Sequence, residues 1–109
     1  MGTLLGKSRR AAHAEMRLVW TPRALGELAA ARVYIARDNP SAAARQVQRI
    51  LAAVSGLLQF PEMGRPGRRI GTRELLVGRT PFIAVYRVRA DAVEIVAILH
   101  GRQRWPDDF

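Results

Sequence analysis

The sequence predicts an α+β fold in the order β-α-α-β-β-β, with an antiparallel sheet covered on one face by a helical hairpin. Three observations carry this. Val47, Ile50, Leu51, Val54, Leu57 and Leu58 recur at three- and four-residue steps, the spacing of one helical face. A second periodic segment precedes them across only a short Asp38-Asn39-Pro40-Ser41 turn, so the two helices fold back antiparallel. Beyond residue 73 the period changes to two, with Phe82, Ala84, Tyr86 and Val88 on one face of a strand.

In chain order, Arg17-Leu18-Val19-Trp20 reads as a short strand. Thr21 then supplies an N-cap and Pro22 the first helical position, where a missing N–H costs nothing. Leu25, Leu28, Ala31 and Ile35 form the expected stripe of the first helix, with Ala24 and Ala29 alongside. Asp38 to Ser41 ends it and caps the second helix. Arg45, Gln46, Gln48, Arg49 and Ser55 take that helix's polar face. Phe60 to Gly67 is dense with breakers and reads as a loop. Strands are expected at Glu74 to Val77, Phe82 to Val88 and Val93 to His100, joined by turns at Gly78 to Pro81 and Arg89 to Asp91. Residues 16–109 make one domain. The preceding Met1 to Glu15 carries Lys7, Arg9 and Arg10 without the hydrophobic core of a secretory signal, and is expected to be a flexible basic extension.

The chain has 109 residues, suited to a single modest core. It carries 18 Lys and Arg residues, all but Lys7 arginine, against 9 Asp and Glu, for a formal net charge of +9. Such a balance bears on partners rather than on fold, and arginine adds planar, bidentate donors for phosphate and carboxylate. With 49% of residues hydrophobic it is not a disordered polycation. The absence of cysteine excludes disulfides, thiolate metal sites and a Cys nucleophile. No run reaches the length of a membrane span, and no membrane partner is expected.

The usual catalytic constellations are missing. His13 and His100 have no ligand partner at metal spacing, so neither metal nor cofactor is expected. Gly64-Arg65-Pro66-Gly67 lacks the ending of a phosphate-binding loop, and Ser8, Ser41 and Ser55 sit in no nucleophile elbow. Arginine density is what stands out. Arg65, Arg68, Arg69, Arg73 and Arg79 face only Glu74 in sequence, and Arg87, Arg102 and Arg104 add charge from the later strands and tail. Together they suit a phosphate backbone or an acidic protein face. For any one of them, solvated surface charge is the competing reading. Trp105 either stacks on a partner or folds back to close the core. His100 is either a general acid or base or a strand-end cap, and Tyr86 reads as core.

A series of segments, in order from Met16 to Phe109, resembles the RelE/ParE toxin superfamily on its ParE-like side. These are Leu18 to Ala24 with Thr-Pro-Arg-Ala, the Asn39-Pro40 junction, and the apolar helix running into Phe60-Pro61. They continue with Gly64 to Arg68, Arg73-Glu74-Leu75, Val85-Tyr86-Arg87, Leu99 to Arg102, and Trp105-Pro106. The resemblance implies a cytoplasmic growth-arresting toxin of a type II toxin–antitoxin system, of the plasmid-stabilisation kind. A cognate antitoxin would wrap and silence it. It further implies inhibition of DNA gyrase, with DNA met only indirectly through gyrase or antitoxin. Target-binding candidates are Arg65, Arg68, Arg69, Arg73, Arg79, Arg102, Arg104 and Trp105.

The alternative is a RelE-type, ribosome-dependent mRNA endonuclease, in which His100, Arg87, Arg102 and Arg104 would supply the chemistry. The sequence departs from that pattern at two places. Ile83 stands where such nucleases carry an arginine after an aromatic residue, and the tail ends Asp107-Asp108-Phe109 where they carry a catalytic tyrosine. The expectation therefore leans to an inhibitor rather than an enzyme. An inactive relic and a generic nucleic-acid-binding domain remain further alternatives. The latter has no recognition helix or RNP motif behind it.

Overall fold

The computed structural model describes residues 16–107, so the extension of residues 1–15 and the final Asp108-Phe109 lie outside the described residues. Strand β1 (Arg17–Trp20) leads into helix α1 (Pro22–Asp38) and helix α2 (Pro40–Ser55), which ends in a short 3₁₀ turn at Gly56–Leu58. Strands β2 (Arg65–Pro66), β3 (Arg73–Leu76), β4 (Phe82–Val88) and β5 (Ala92–His100) follow. The sheet order is β1-β5-β4-β3-β2.

The helix boundaries follow local chemistry. The Thr21 hydroxyl accepts the Ala24 N–H at 3.1 Å, and Pro22 opens α1. Thr21 also donates its hydroxyl to the Val96 carbonyl and its N–H to the Ile95 carbonyl, so one residue caps the helix and fastens it to β5. Asn39 both ends α1 and caps α2, its side chain accepting from the Ala42 N–H. The hairpin that results packs Ala24, Ile50, Val54 and Leu57 onto Phe82, Ala84, Tyr86, Val93, Ile95 and Ile98 of the sheet.

Three expectations need correction in detail. The sheet is mixed rather than wholly antiparallel, because β1 pairs in parallel with β5, Arg17 with Ala92 through Trp20 with Ile95. Parallel neighbours need a long crossover, and the hairpin together with β2 to β4 supplies it. The Phe60 to Gly67 segment contains a two-residue edge strand, β2, whose Pro66 is tolerated because an edge needs no ladder donor there. In α1 the buried residue is Ala24, whereas Leu25 is 53% exposed and Ala29 is also outside the core. Leu28, Ala31 and Ile35 pack as expected.

The sheet's second face is not bare. Ile83, Val85, Val96, Ala97 and Leu99 form a separate buried cluster there, with Trp105 of the tail packed against it. A register shift beside Val85 and Tyr86 places Val96 opposite no β4 residue, which is how two successive residues, Val96 and Ala97, both reach that face. This second face carries Arg65 and Arg87 of the ladder.

Candidate functional site

Residues directly opposite in an antiparallel ladder share a face. Arg65 opposes Glu74, and Glu74 opposes Val85, so Arg65 and Glu74 lie on the face away from the helices. Glu74 is only 2% exposed. Its carboxylate accepts the Arg65 guanidinium at 3.1 Å and the Arg68 backbone N–H at 2.8 Å, with the Arg68 Nε at 3.8 Å. A buried carboxylate thus fixes two consecutive arginine positions of the loop, whose side chains stay about half exposed. Among the candidates this makes Glu74 the organiser. Density alone had marked it as the lone acid in a basic stretch, a signal pointing to an internal partner.

The loop continues on the same plan. The Arg68 guanidinium lies 3.7 Å from the centroid of the Trp105 ring, a cation–π contact, and Arg69 donates to the Pro106 carbonyl. The tail is thereby laid across the second sheet face, and Trp105 closes that small core as the blander reading of it expected. Arg73 opposes Tyr86 and leaves on the helix side, donating to the Gly64 carbonyl at 2.7 Å and the Glu62 carbonyl at 3.3 Å. It pins the loop from below while Arg65 faces the opposite way.

Tyr86 is buried and does more than fill space. Its hydroxyl donates to the Pro61 carbonyl at 2.7 Å and accepts the Gly64 N–H at 2.8 Å. Burial pushes its phenol above the ordinary 10.0, with the Gly64 N–H pulling the other way, so it stays a neutral donor. A Cβ on Gly64 would stand 2.7 Å from that hydroxyl, so only glycine fits the approach.

The remaining candidates separate. Arg79 occupies the exposed β3–β4 turn with φ 63. Arg102 lies just beyond β5, at that same end of the sheet, since the Gly101 N–H donates to the Pro81 carbonyl. Arg104 is exposed between Arg102 and the docked Trp105. Arg65, Arg68 and Arg69 are therefore brought together by Glu74 and the tail, with Arg73 behind them, whereas Arg79 and Arg102 stand at the far end of the sheet, Arg102 lining a helix-side groove.

The four nuclease candidates are not brought together. His100 opposes Phe82, on the helix side, and Arg87 shares the parity of Ile83 and Val85 on the other face. The two also stand five strand positions apart along β4, about 17 Å at the usual rise. His100 Nδ1 accepts the Arg102 N–H at 3.0 Å and its ring meets Phe82 edge-on at 5.5 Å, which is a strand-end cap. Among the described residues no group of three or more His, Asp or Glu side chains is placed to hold a metal ion.

Sequence reasoning also passed over Glu27. Beyond Trp20, β1 no longer covers β5, and the Glu27 carboxylate accepts the Ile98 N–H at 2.9 Å. It sits in a groove of about 510 Å³ with Tyr34, Phe82, His100 and Arg102. Burial raises its pKa above the ordinary 4.5, opposed by the Ile98 N–H and by Arg23. A pKa raised on folding means that the neutral form is favoured. The stabilisation is complete below the unfolded pKa and is lost as pH rises through the folded one. Glu27→Gln keeps an acceptor and cannot ionise. Its stability relative to wild type, from urea unfolding, should therefore improve as pH rises above the ordinary 4.5. A difference flat with pH would show that the carboxylate is not penalised.

With this geometry in place, comparison with known proteins is informative. Residues 18–105 match the family model described as ParE toxin of type II toxin-antitoxin system, parDE. The chain is 48% identical to Y4kP of Sinorhizobium fredii over 90 residues, covering 83% of this chain and 93% of that protein. It is 40% identical to Toxin RelE2 of Caulobacter vibrioides over 84 residues, covering 77% of this chain and 93% of the relative. The solved structure described as the chromosomal ParDE TA system from P. aeruginosa is similar over 81% of this chain and 97% of that one, at TM-score 0.72 and 34% identity.

Proposed function

The chain belongs to the ParE toxin family of type II toxin–antitoxin systems, and on that premise we propose that it arrests growth by inhibiting DNA gyrase in the cytoplasm. A cognate antitoxin is the partner the family implies. The observation that carries the proposal is the cluster of Arg65, Arg68 and Arg69, held by Glu74 and by the docked Trp105-Pro106 tail. It is a rigid basic surface without an assembled acid–base pair, which suits a protein that binds an enzyme and stalls it. The separation of His100 from Arg87 across the sheet supports the same direction. The antitoxin has room elsewhere. Leu25, Val33, Tyr34 and Leu51 are exposed on the hairpin, and β1 offers a sheet edge, which suit helix docking and strand addition.

A RelE-type mRNA endonuclease is the second reading, favoured by the name of the Caulobacter vibrioides relative, Toxin RelE2. Pulse labelling after induction separates the two. The gyrase reading expects DNA synthesis to fall while protein synthesis continues, and coexpressed antitoxin to restore DNA synthesis. Immediate loss of protein synthesis, with mRNA cut on ribosomes, would transfer the chain to the second reading.

A further inference from the structure

Ile70 is fully exposed, the most exposed large hydrophobic side chain among the described residues. It sits at the tip of the arginine loop, and the loop is not loose. The Gly67 N–H donates to the Thr72 carbonyl at 2.8 Å, and the Thr72 N–H and hydroxyl both donate to the Arg69 carbonyl, at 3.1 and 2.6 Å. On the near shoulder Glu74 holds the Arg68 N–H, and on the far shoulder Gly71 turns the chain back at φ +79. An isoleucine with a stiff χ1 is thus held out from a braced frame, with Arg68 and Arg69 before it and Arg73 shortly after.

We propose that Ile70 is the anchor by which this toxin engages an acid-rimmed apolar socket on the protein it inhibits. The inference deepens the proposed function, since it names a contact residue for the target-directed face. An apolar knob inside a charged rim is the anatomy of a binding hot spot, and a braced loop loses little freedom when it docks. Charge complementarity sets the chemistry of the rim. Arg68 and Arg69 directly precede the knob, Arg65 shares Glu74 with Arg68, and that nearby acid is buried.

A nucleic-acid duplex fits less well. It calls for several cations tracking successive phosphates. Here Arg65 and Arg68 are held by Glu74, Arg69 by the Pro106 carbonyl and Arg73 by the Gly64 carbonyl. These contacts tie the guanidinium groups to the loop's own frame on both sides of the sheet rather than along a track of phosphates. The antitoxin is served by the hairpin and the β1 edge, away from this loop.

The test uses the full chain and its Ile70→Asp variant, with Ile70→Ala as the milder change. Because the side chain is fully exposed, both variants should melt as wild type does, which is checked first. Growth arrest on induction should be lost with Ile70→Asp, and any inhibition of purified gyrase should need about 10- to 100-fold more protein. Calorimetric affinity for the antitoxin, and anisotropy with a labelled DNA duplex, should change by less than about 3-fold. Undiminished growth arrest by the variant overturns the anchor. So does a matching loss of antitoxin affinity, which reassigns the loop to the antitoxin, or of duplex affinity, which makes it a nucleic-acid wedge. If wild type leaves gyrase active yet growth arrest still depends on Ile70, the gyrase assignment fails and the anchor stands. Absence of growth arrest by wild type removes both.

Discussion

Replacing Glu74 by Ala is expected to lower the unfolding free energy by about 2 kcal/mol and to free the arginine loop from the sheet. Removing one partner of a buried ion pair costs about 3–5 kcal/mol when the other charge stays buried. Here Arg65 and Arg68 are about half exposed and can be rehydrated, so the cost falls below that range. What remains is the orphaned Arg68 N–H and the loss of charge-assisted bonds at 2.8 and 3.1 Å. Glu74→Gln keeps the shape and one acceptor, and should lose less. Urea unfolding gives the stability, and hydrogen exchange at the Arg68 amide gives the local effect. An Arg68 amide as protected in the alanine variant as in wild type would show that Glu74 does not organise the loop.

The second large effect is expected at Tyr86. Tyr86→Phe removes the hydroxyl that satisfies both the Gly64 N–H and the Pro61 carbonyl, at a cost of about 2–3 kcal/mol. Gly64→Ala attacks the same contact from the other side. Its Cβ would meet the Tyr86 hydroxyl at 2.7 Å, the ring at 2.8 Å and the Glu74 carbonyl at 2.9 Å. Since the ring and the carbonyl stay in place, combining the two changes should not rescue stability. Recovery in the double variant beyond either single one would mean that the hydroxyl alone dictates glycine at position 64. Equal stability of Tyr86→Phe and wild type would mean that water satisfies both groups.

Much of this fold was legible because its signals are local. Thr21-Pro22 and Asn39-Pro40 each place a cap and a helix start within two residues, and both elements begin there. The alternation from Phe82 to Val88 matched β4 to the residue. Features that depend on distant partners were not legible. β2 is two residues long with a proline in it, and only its pairing with β3 makes it a strand. The direction of β1 is decided by β5, about seventy residues away in sequence. In α1 the core contact is made by Ala24, whose small side chain lets the helix approach β5 closely and leaves Leu25 outside. Small residues on both sides of a stripe give too little contrast to fix its phase.

The candidate site divides along the same line. Arginine density pointed to a loop and tail that the structure brings together at Glu74 and Trp105, but density carries no information on partners. It could not show that Arg65 and Arg68 share one buried carboxylate, that Trp105 lies beneath Arg68, or that Arg73 points to the other side. Nor could it separate His100 from Arg87, which requires knowing that the pair falls on opposite faces of β4 and β5. Ile70 was silent for a related reason. Nothing local in the sequence shows that the loop holds an isoleucine out into solvent.

The most direct test of the central claim is a supercoiling assay in which the purified chain is titrated into DNA gyrase, ATP and relaxed plasmid. Lost supercoiling, accumulation of cleaved plasmid and reversal by the antitoxin are the predicted results. Full supercoiling at every concentration, from a preparation that still arrests growth, would contradict the assignment and place the target elsewhere.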